Sequence, residues 1–458
     1  MRKYIFFLFL SFSTSSFAYD FMVDSLFYNI VDNEMWELDY PTVELTYDNT
    51  VLNRVWDGDK YVYFYYDNTH TSVVVPDTVR YDGVLYHVIG IGRGAFRYYK
   101  FLSSVSLPET ILYLDDACFS EKKNLKDIVL PNSLTTIGEA VFMNCNLKSV
   151  YIPENVTYIG LGAFEECALL ESVTLPPGIE VIYNGTFYHC MKLQTVNIPE
   201  GVIRIDDSAF SMCPLLKSIH LPNSLREIGG SAFGVCTNLS DINFPSELKK
   251  IGGMAFFGTP VRRFKSPAAM SEIPMQCFMK SALTSVTLTS NIKKICRSAF
   301  EYNEGLQTVR IEGGTIEIEK DAFAGCRNIK DFYCLTDVMP ATDSLAFAQY
   351  EYPPMTSEAS GFGIRRGNLV GKTYAIERTT LHVHKSLLNR FQHTYPWSKF
   401  KSIVAIEDET AIGPIAIDDE SSSTRRVYDL VGRLRRAAQP GLNVIVGSDG
   451  RGRKVMVK

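Results

Sequence analysis

The chain has 458 residues and no marked excess of either charge: 46 Lys and Arg stand against 51 Asp and Glu. The formal net charge of −5 gives no electrostatic case for nucleic acid or a membrane surface as a partner. No long apolar run follows the first eighteen residues, so no later segment reads as a membrane-crossing helix. No cysteine follows Ala18, so nothing suggests a lipid-modified cysteine there. The sequence also lacks GxSxG, HExxH, a phosphate-binding loop, and GxGxxG in a strand–turn–helix setting. No cysteines stand at CxxC spacing, which removes the commonest zinc and redox signatures. Histidine is scarce. His70, His87, His189, His220 and His393 are scattered, and only His382 and His384 stand together.

What is present is repetition. Leu170 to Lys192 reads LESVTLPPGIEVIYNGTFYHCMK, Leu193 to Leu215 reads LQTVNIPEGVIRIDDSAFSMCPL, and Leu216 to Asn238 reads LKSIHLPNSLREIGGSAFGVCTN. One aromatic marks the phase: Phe96, Phe119, Phe142, Phe164, Phe187, Phe210, Phe233, Phe256, Phe278, Phe300, Phe323 and Phe347, at steps of 22 to 24 residues. A period in the low twenties with Leu/Val alternation in one half is the signature of a leucine-rich repeat. Val173 and Leu175 alternate at period two and share one face of a short strand, with Ser172 and Thr174 on the other. Pro176 lacks a backbone donor and ends that strand. Ile179, Ile182, Phe187 and Cys190 then point inward. So few apolar side chains cannot offset the entropy of ordering a whole repeat, so stability must come from stacking on neighbours. The expected fold is a β-rich α/β solenoid, right-handed, with a parallel sheet on one face.

Residues 1–18 read as a secretory signal peptide. Arg2 and Lys3 form a charged start, Tyr4 to Phe12 an apolar stretch, and Ser16-Phe17-Ala18 a small-residue cleavage site. A buried N-terminal strand or helix is the alternative. Residues 19–71, with FMVDSLFYNIV, TVELTYDN and YVYFYYDN, are expected to form an N-terminal β cap, because an open solenoid end exposes apolar side chains and strand edges. The solenoid proper is expected over 72–406, with a hairpin turn at Asp82-Gly83 in its first, longer repeat. A local irregularity is expected at Val261 to Ala282, where Ser266 replaces an inward Leu and Pro260, Pro267 and Pro274 interrupt. From 348 to 378 the period breaks into a surface loop. It resumes over 380–406 as a C-terminal cap repeat, with a helical piece carrying Leu387, Leu388 and Phe391, and with Trp397 and Phe400 before the last strand. Residues 407–423 are acidic and Ser-rich, an extended linker. Residues 424–458 carry nine Lys and Arg against Asp429 and Asp449, and read as a small β tail module.

LPNSLREIGGSAFGVCTNL and its relatives resemble the BspA-like leucine-rich repeats of bacterial cell-surface proteins. The opening segment and LHVHKSLLNRFQHTYPWSKFKSIVAI are similar to that family's N-terminal region and usual last repeat, so the resemblance covers roughly 20–406. The tail VYDLVGRLRRAAQPGLNVIVGSDGRGRKVMVK resembles the C-terminal sorting domains of proteins exported by the type IX secretion system. Together the two resemblances imply an exported protein at the cell surface or released from it. They also imply adhesion or recognition, with a protein or glycoprotein ligand of a matrix or of another cell.

Cys145, Cys167, Cys190, Cys213, Cys236 and Cys326 each stand three residues after the repeat Phe. In an exported chain they could form disulfides or a metal site. Their coincidence with the core phase favours a stacked ladder of small apolar thiols. His382 and His384 alternate on a strand and face one way, as a metal pair would, but no third ligand accompanies them. No cofactor, metal or catalytic residue is assigned. The remaining candidate surface is the exposed side of the parallel sheet, where small polar residues dominate. Tyr151, His220, Arg263, Lys265 and Arg310 stand out there as binding residues, since aromatics and Arg are the usual anchors of interfaces. Two alternatives remain. One is a structural surface protein that self-associates. The other is a glycan- or peptide-processing enzyme using Glu351, Glu358 or Glu377 of the interrupted segment.

Overall fold

A computed structural model describes residues 19–32, 36–47, 53–56, 61–64, 70–351, 368–374 and 376–406, and four strands of the tail. The expected signal peptide (1–18) and acidic linker (407–423) lie outside the described residues. The chain winds into a parallel β-solenoid. In the coil that starts at Leu170, a front strand Ser172–Thr174 buries Val173 and exposes both neighbours. The chain turns after buried Leu175 and Pro176, and a back strand Val181–Ile182 sends Ile182 inward. Two tight turns then carry Phe187 and Cys190 into the core.

Front strands pair in parallel with front strands of the next coil, as in Ser172↔Thr195 and Val173↔Val196. Back strands do likewise, as in Ile182↔Ile205 and Ile205↔Ile228. The back ladder was not read from the sequence, because two residues per coil are too few to show a period. Backbone bonds at the turns make a third ribbon. The N–H groups of Gly162, Phe164 and Glu166 donate to Asn184, Thr186 and Tyr188 of the following coil, and the pattern recurs along the stack. Helix is minor: among the described residues there is one α-helix, Leu388–His393, which buries Phe391.

The repeat phenylalanines form one interior column from Phe96 to Phe347, each fully buried. Ring centroids along it are 4.8 to 5.8 Å apart and planes lie within 20° of each other. The spacing follows that of the strands, so the rings stack offset, an arrangement aromatics favour. Beside the column runs the thiol ladder. The thiols of Cys145, Cys167, Cys190, Cys213, Cys236 and Cys326 each donate to the carbonyl of a Phe one coil back, at 3.0 to 3.3 Å. Where Cys is absent, Ser281 Oγ (2.8 Å) and Asn303 Nδ2 (2.7 Å) make the same bond. The position therefore calls for a small side chain that can donate, which explains the mixture of residue types. All ten cysteines are free, and burial pushes the thiols up, to about 12 for Cys145, Cys236 and Cys326.

The turns use left-handed backbone twice per coil, two residues before and two after the Phe. Ala140 (φ 52°), Glu166 (57°), His189 (59°) and Met212 (60°) all occupy such positions without being glycine. Val235, at φ 61°, is the least suited, because its branched Cβ crowds the carbonyl in that conformation. We expect Val235→Asn to stabilise the solenoid by about 1 kcal/mol. Denaturant melts of the two proteins check this, and a variant no more stable than the parent contradicts it.

The segment 261–282 keeps its place in the column. Phe278 stacks on Phe256 at 5.3 Å and on Phe300 at 5.8 Å. The irregularity falls in the front ladder, which stops between Asp241–Ile242 and Arg263–Lys265. Phe244 fills the gap edge-on against Phe256 and Phe264. Buried Ser266 is accommodated because its hydroxyl accepts the Thr289 N–H at 2.8 Å and lies 3.1 Å from the Thr289 hydroxyl. The stretch expected as a surface loop begins and ends in a two-stranded antiparallel ribbon, Ala348–Glu351 with Asn368–Tyr374. Val370, Thr373 and Tyr374 are strand formers that a reading for broken period overlooks. The tail strands Arg426–Tyr428, Leu434–Arg435, Gly441–Val446 and Gly452–Val457 form an antiparallel sheet, one strand more than the three expected runs.

At the N-terminal end, Leu26–Val31 pairs antiparallel with Thr42–Thr46, which pairs parallel with Val84–Ile91 and so joins the back ladder. Val84–Ile91 also forms a hairpin with Thr78–Tyr81, around Asp82-Gly83. Tyr113 crosses this junction over Gly90, where a Cβ would lie 2.1 Å from its ring. Its hydroxyl donates to Glu44 at 2.9 Å, and Asn29 donates to the same carboxylate at 3.2 Å. Burial raises the Glu44 carboxyl above the usual range, assisted by Asp115 and opposed by those two hydrogen bonds. A raised carboxyl contributes stability below its unfolded value that is lost as pH climbs through the folded one. Glu44→Gln keeps both contacts, accepting from Asn29 and donating to the Tyr113 oxygen. It should therefore melt higher than the parent at pH 7 and no higher near pH 4. Equal melting temperatures at pH 7 would contradict this.

Candidate functional site

The front face is built by strands with a common exposure pattern. Ser149–Tyr151, Ser172–Thr174 and Thr195–Asn197 pair in register, with the central Val buried and its neighbours exposed. After a short pair at Ser218–Ile219 and Asp241–Ile242, a second run pairs Arg263–Lys265, Ser285–Leu288, Thr308–Ile311, Asp331–Cys334, Thr380–His384 and Ser402–Ile406.

The five residues singled out by sequence all lie on this face, but they do not converge. Tyr151 is 61% exposed. His220 is exposed three coils on, and Arg263 and Lys265 share an exposed strand two coils further. Arg310 follows two coils later, seven coils from Tyr151, or roughly 34 Å at the usual strand spacing. Arg310 is the least open of the five. Its guanidinium lies 5.6 Å from the Tyr333 ring centre, and its Nε is 3.4 Å from Glu312.

The face continues past the residues chosen from sequence. The Tyr333 ring stacks on His382 at 4.3 Å and 12°. The His382 Nε2 lies 2.9 Å from Asp331 Oδ1. Arg310, Tyr333 and His382 therefore form one packed row with Asp331 beside it, presenting edges rather than an open ring. His384 Nε2 is 3.2 Å from the Leu335 carbonyl, so each imidazole of the expected pair has an intramolecular partner. Among the described residues no cluster of three His, Cys, Asp or Glu could hold a metal. Extending the outward alternation by one coil would have found Tyr333. His382 was harder to place, because the insertion puts it 51 residues from its neighbour Asp331. Of the three carboxylates weighed for catalysis, Glu377 is exposed, and the side chains of Glu351 and Glu358 lie outside the described residues.

The family model of the BspA type leucine rich repeat region matches residues 89–217 and 204–330, in six copies. The chain belongs to that family. The match spans 242 of 458 residues, which hold the column from Phe96 to Phe323 and the six cysteines of the thiol ladder. No curated protein matches the chain. Among solved structures, a leucine-rich repeat protein from Bacteroides ovatus is similar, with 22% identity, 85% of this chain and 100% of that one covered, and a TM-score of 0.55. A leucine rich cell surface protein from Faecalibacterium prausnitzii shows 21% identity, coverage of 85% and 95%, and a TM-score of 0.49. The pneumococcal vaccine antigen PcpA shows 15% identity, coverage of 86% and 99%, and a TM-score of 0.44. The first of these bears on the fold alone. Among the described residues no helix of this BspA-type chain is long and apolar enough to cross a membrane.

Proposed function

We propose that this BspA-type chain is an exported recognition protein of the cell surface, which binds a protein or glycoprotein ligand through its front face and catalyses no reaction. The observation that carries the reading is the face itself. It is a long, solvated, hydrogen-bonded surface of small polar side chains on which Tyr151, His220, Arg263 and Lys265 protrude. Solenoids bind extended partners on such surfaces, and a few large side chains carry most of the affinity. In this reading residues 1–18 direct export, residues 19–71 and 380–406 cap the two ends, and the tail from 424 acts as a sorting signal. Adhesion to matrix or to other cells is the role that fits these parts.

Two experiments test it. The purified full chain is screened against arrayed matrix and cell-surface glycoproteins, and any ligand found is measured with Tyr151→Ala and with Arg263→Ala/Lys265→Ala. Losses of tenfold or more are expected, about 1.4 kcal/mol. A ligand indifferent to all three substitutions, or a screen without any ligand, overturns the reading. For export, cells carrying the full chain are compared with cells carrying a chain that ends at Ser423. Equal arrival at the surface removes the sorting role of the tail.

A further inference from the structure

One residue after the leading Leu of each coil, the chain enters the front strand. The structure aligns the residues at that position into one row along the solenoid. The Lys148 N–H donates to the Lys126 carbonyl (3.1 Å), Glu171 to Lys148 (2.9 Å), Gln194 to Glu171 (2.9 Å), Lys330 to Gln307 (2.8 Å), and Lys401 to Thr379 (3.1 Å). Lys126, Lys148, Lys217, Arg262, Lys330 and Lys401 occupy the row and are all exposed. Glu171 is the one acid in it. The row spans eleven coils, roughly 53 Å at the strand spacing.

The opposite margin of the same face, after each strand-ending Pro, carries the reverse sign at Glu109, Glu154 and Glu200. Glu109 accepts the Asn132 N–H at 2.9 Å and Glu200 that of Asn223 at 3.2 Å, so those carboxylates brace the next coil. A front strand of three or four residues separates the margins by about 10 Å or more, beyond the screening length of about 8 Å at physiological salt. The basic margin therefore acts as a cationic line in its own right. Near its C-terminal end it passes a groove of about 370 Å³, where Arg327, Lys330 and Arg378 converge beside Gln307, Asn328 and Glu304.

We propose that this margin binds a linear acidic polysaccharide lying along the solenoid axis, with an anionic group seated in the groove. The row carries no aromatic or large apolar side chain and a single Arg, so it has few of the anchors that protein interfaces use. It likewise lacks the stacking platforms by which single-stranded nucleic acid is held. What it offers is a string of flexible cations and amides at coil intervals, which suits hydroxyl-rich, anionic polymers held by charge and hydrogen bonds. The site is distinct from the protruding residues of the front face and does not depend on their role.

The test uses heparin as the probe on the full chain, with polyglutamate and a single-stranded DNA oligonucleotide as competitors. Arg262→Gln/Lys330→Gln should weaken heparin binding at least tenfold and lower the slope of log affinity against log salt by about two, by analogy with counterion release from other polyanions. Lys249→Gln/Lys250→Gln, on the back ladder, should leave binding unchanged. Unaltered melting of each variant shows that the exposed substitutions leave the fold intact. Heparin binding indifferent to Arg262→Gln/Lys330→Gln overturns the proposal. So does absence of binding, or displacement by polyglutamate or DNA as effective as by heparin itself.

Discussion

Phe210→Ala should cost about 3–5 kcal/mol, the usual price of deleting a buried aromatic ring. Phe210 is fully buried and stacks on Phe187 at 5.3 Å and on Phe233 at 5.4 Å. Removing it opens a void that two neighbouring coils share. In a solenoid, stability is close to a sum of coil terms and nearest-neighbour terms, so a weak interface in the middle divides the stack. Urea unfolding of the variant should therefore show an earlier and broader transition. Phe210→Leu, which keeps most of the volume, should lose no more than about 1.5 kcal/mol. A Phe210→Ala protein that melts with the parent would mean that the column does not hold the coils together.

Trp397→Ala should have a comparable local cost but a different footprint. Trp397 is fully buried against Phe347 at 5.4 Å and Phe391 at 5.1 Å, and its indole N–H donates to Thr342 Oγ1 at 3.1 Å. Phe400 stacks beside it at 5.7 Å and lies 5.4 Å from Phe347. Together they cover the last ring of the column. The substitution removes about 3–5 kcal/mol of packing and leaves Phe347 poorly covered. Hydrogen exchange should then show lost protection from about residue 329 to 406 and unchanged protection in the coils around Phe119. Uniform loss across the chain would show that the coils are not independent in this way.

The column was legible in the sequence because its ring is large, nearly constant in spacing and unmistakable against polar neighbours. The thiol ladder was legible for the same reason. What donates to the Phe carbonyl was not, and Ser281 and Asn303 in the same role show that the requirement is a donor of small size. The left-handed turn positions escaped because Ala, Glu, His, Met and Val fill many of them, residues that carry no signal for that backbone. Their cost is sustained by three hydrogen bonds per coil to the next coil, a tertiary effect invisible in one repeat. The back ladder is too short to show alternation. The row at Arg310, Tyr333 and His382 is split by the insertion, and the basic margin lies one residue outside the alternation, which marks only the residues on either side of the buried strand centre as outward. Sequence patterns thus reveal what recurs inside, while the surface is set by register between coils.

That register also suits the recognition role proposed for the front face. The ladder bonds fix side chains at regular intervals on a surface that loses little entropy on binding. Single substitutions on it can change binding without disturbing the column beneath.

The most direct measurement of the central claim is a double-mutant cycle between stacked rings. Phe210→Ala and Phe233→Ala, on adjacent coils, should couple by 0.5–3 kcal/mol in urea unfolding, by the usual range for residues in contact. Phe119→Ala and Phe300→Ala, at opposite ends of the stack, should add to within about 0.5 kcal/mol. Additivity in the adjacent pair, or equal coupling in both pairs, would contradict a coil whose turns are held by their neighbours.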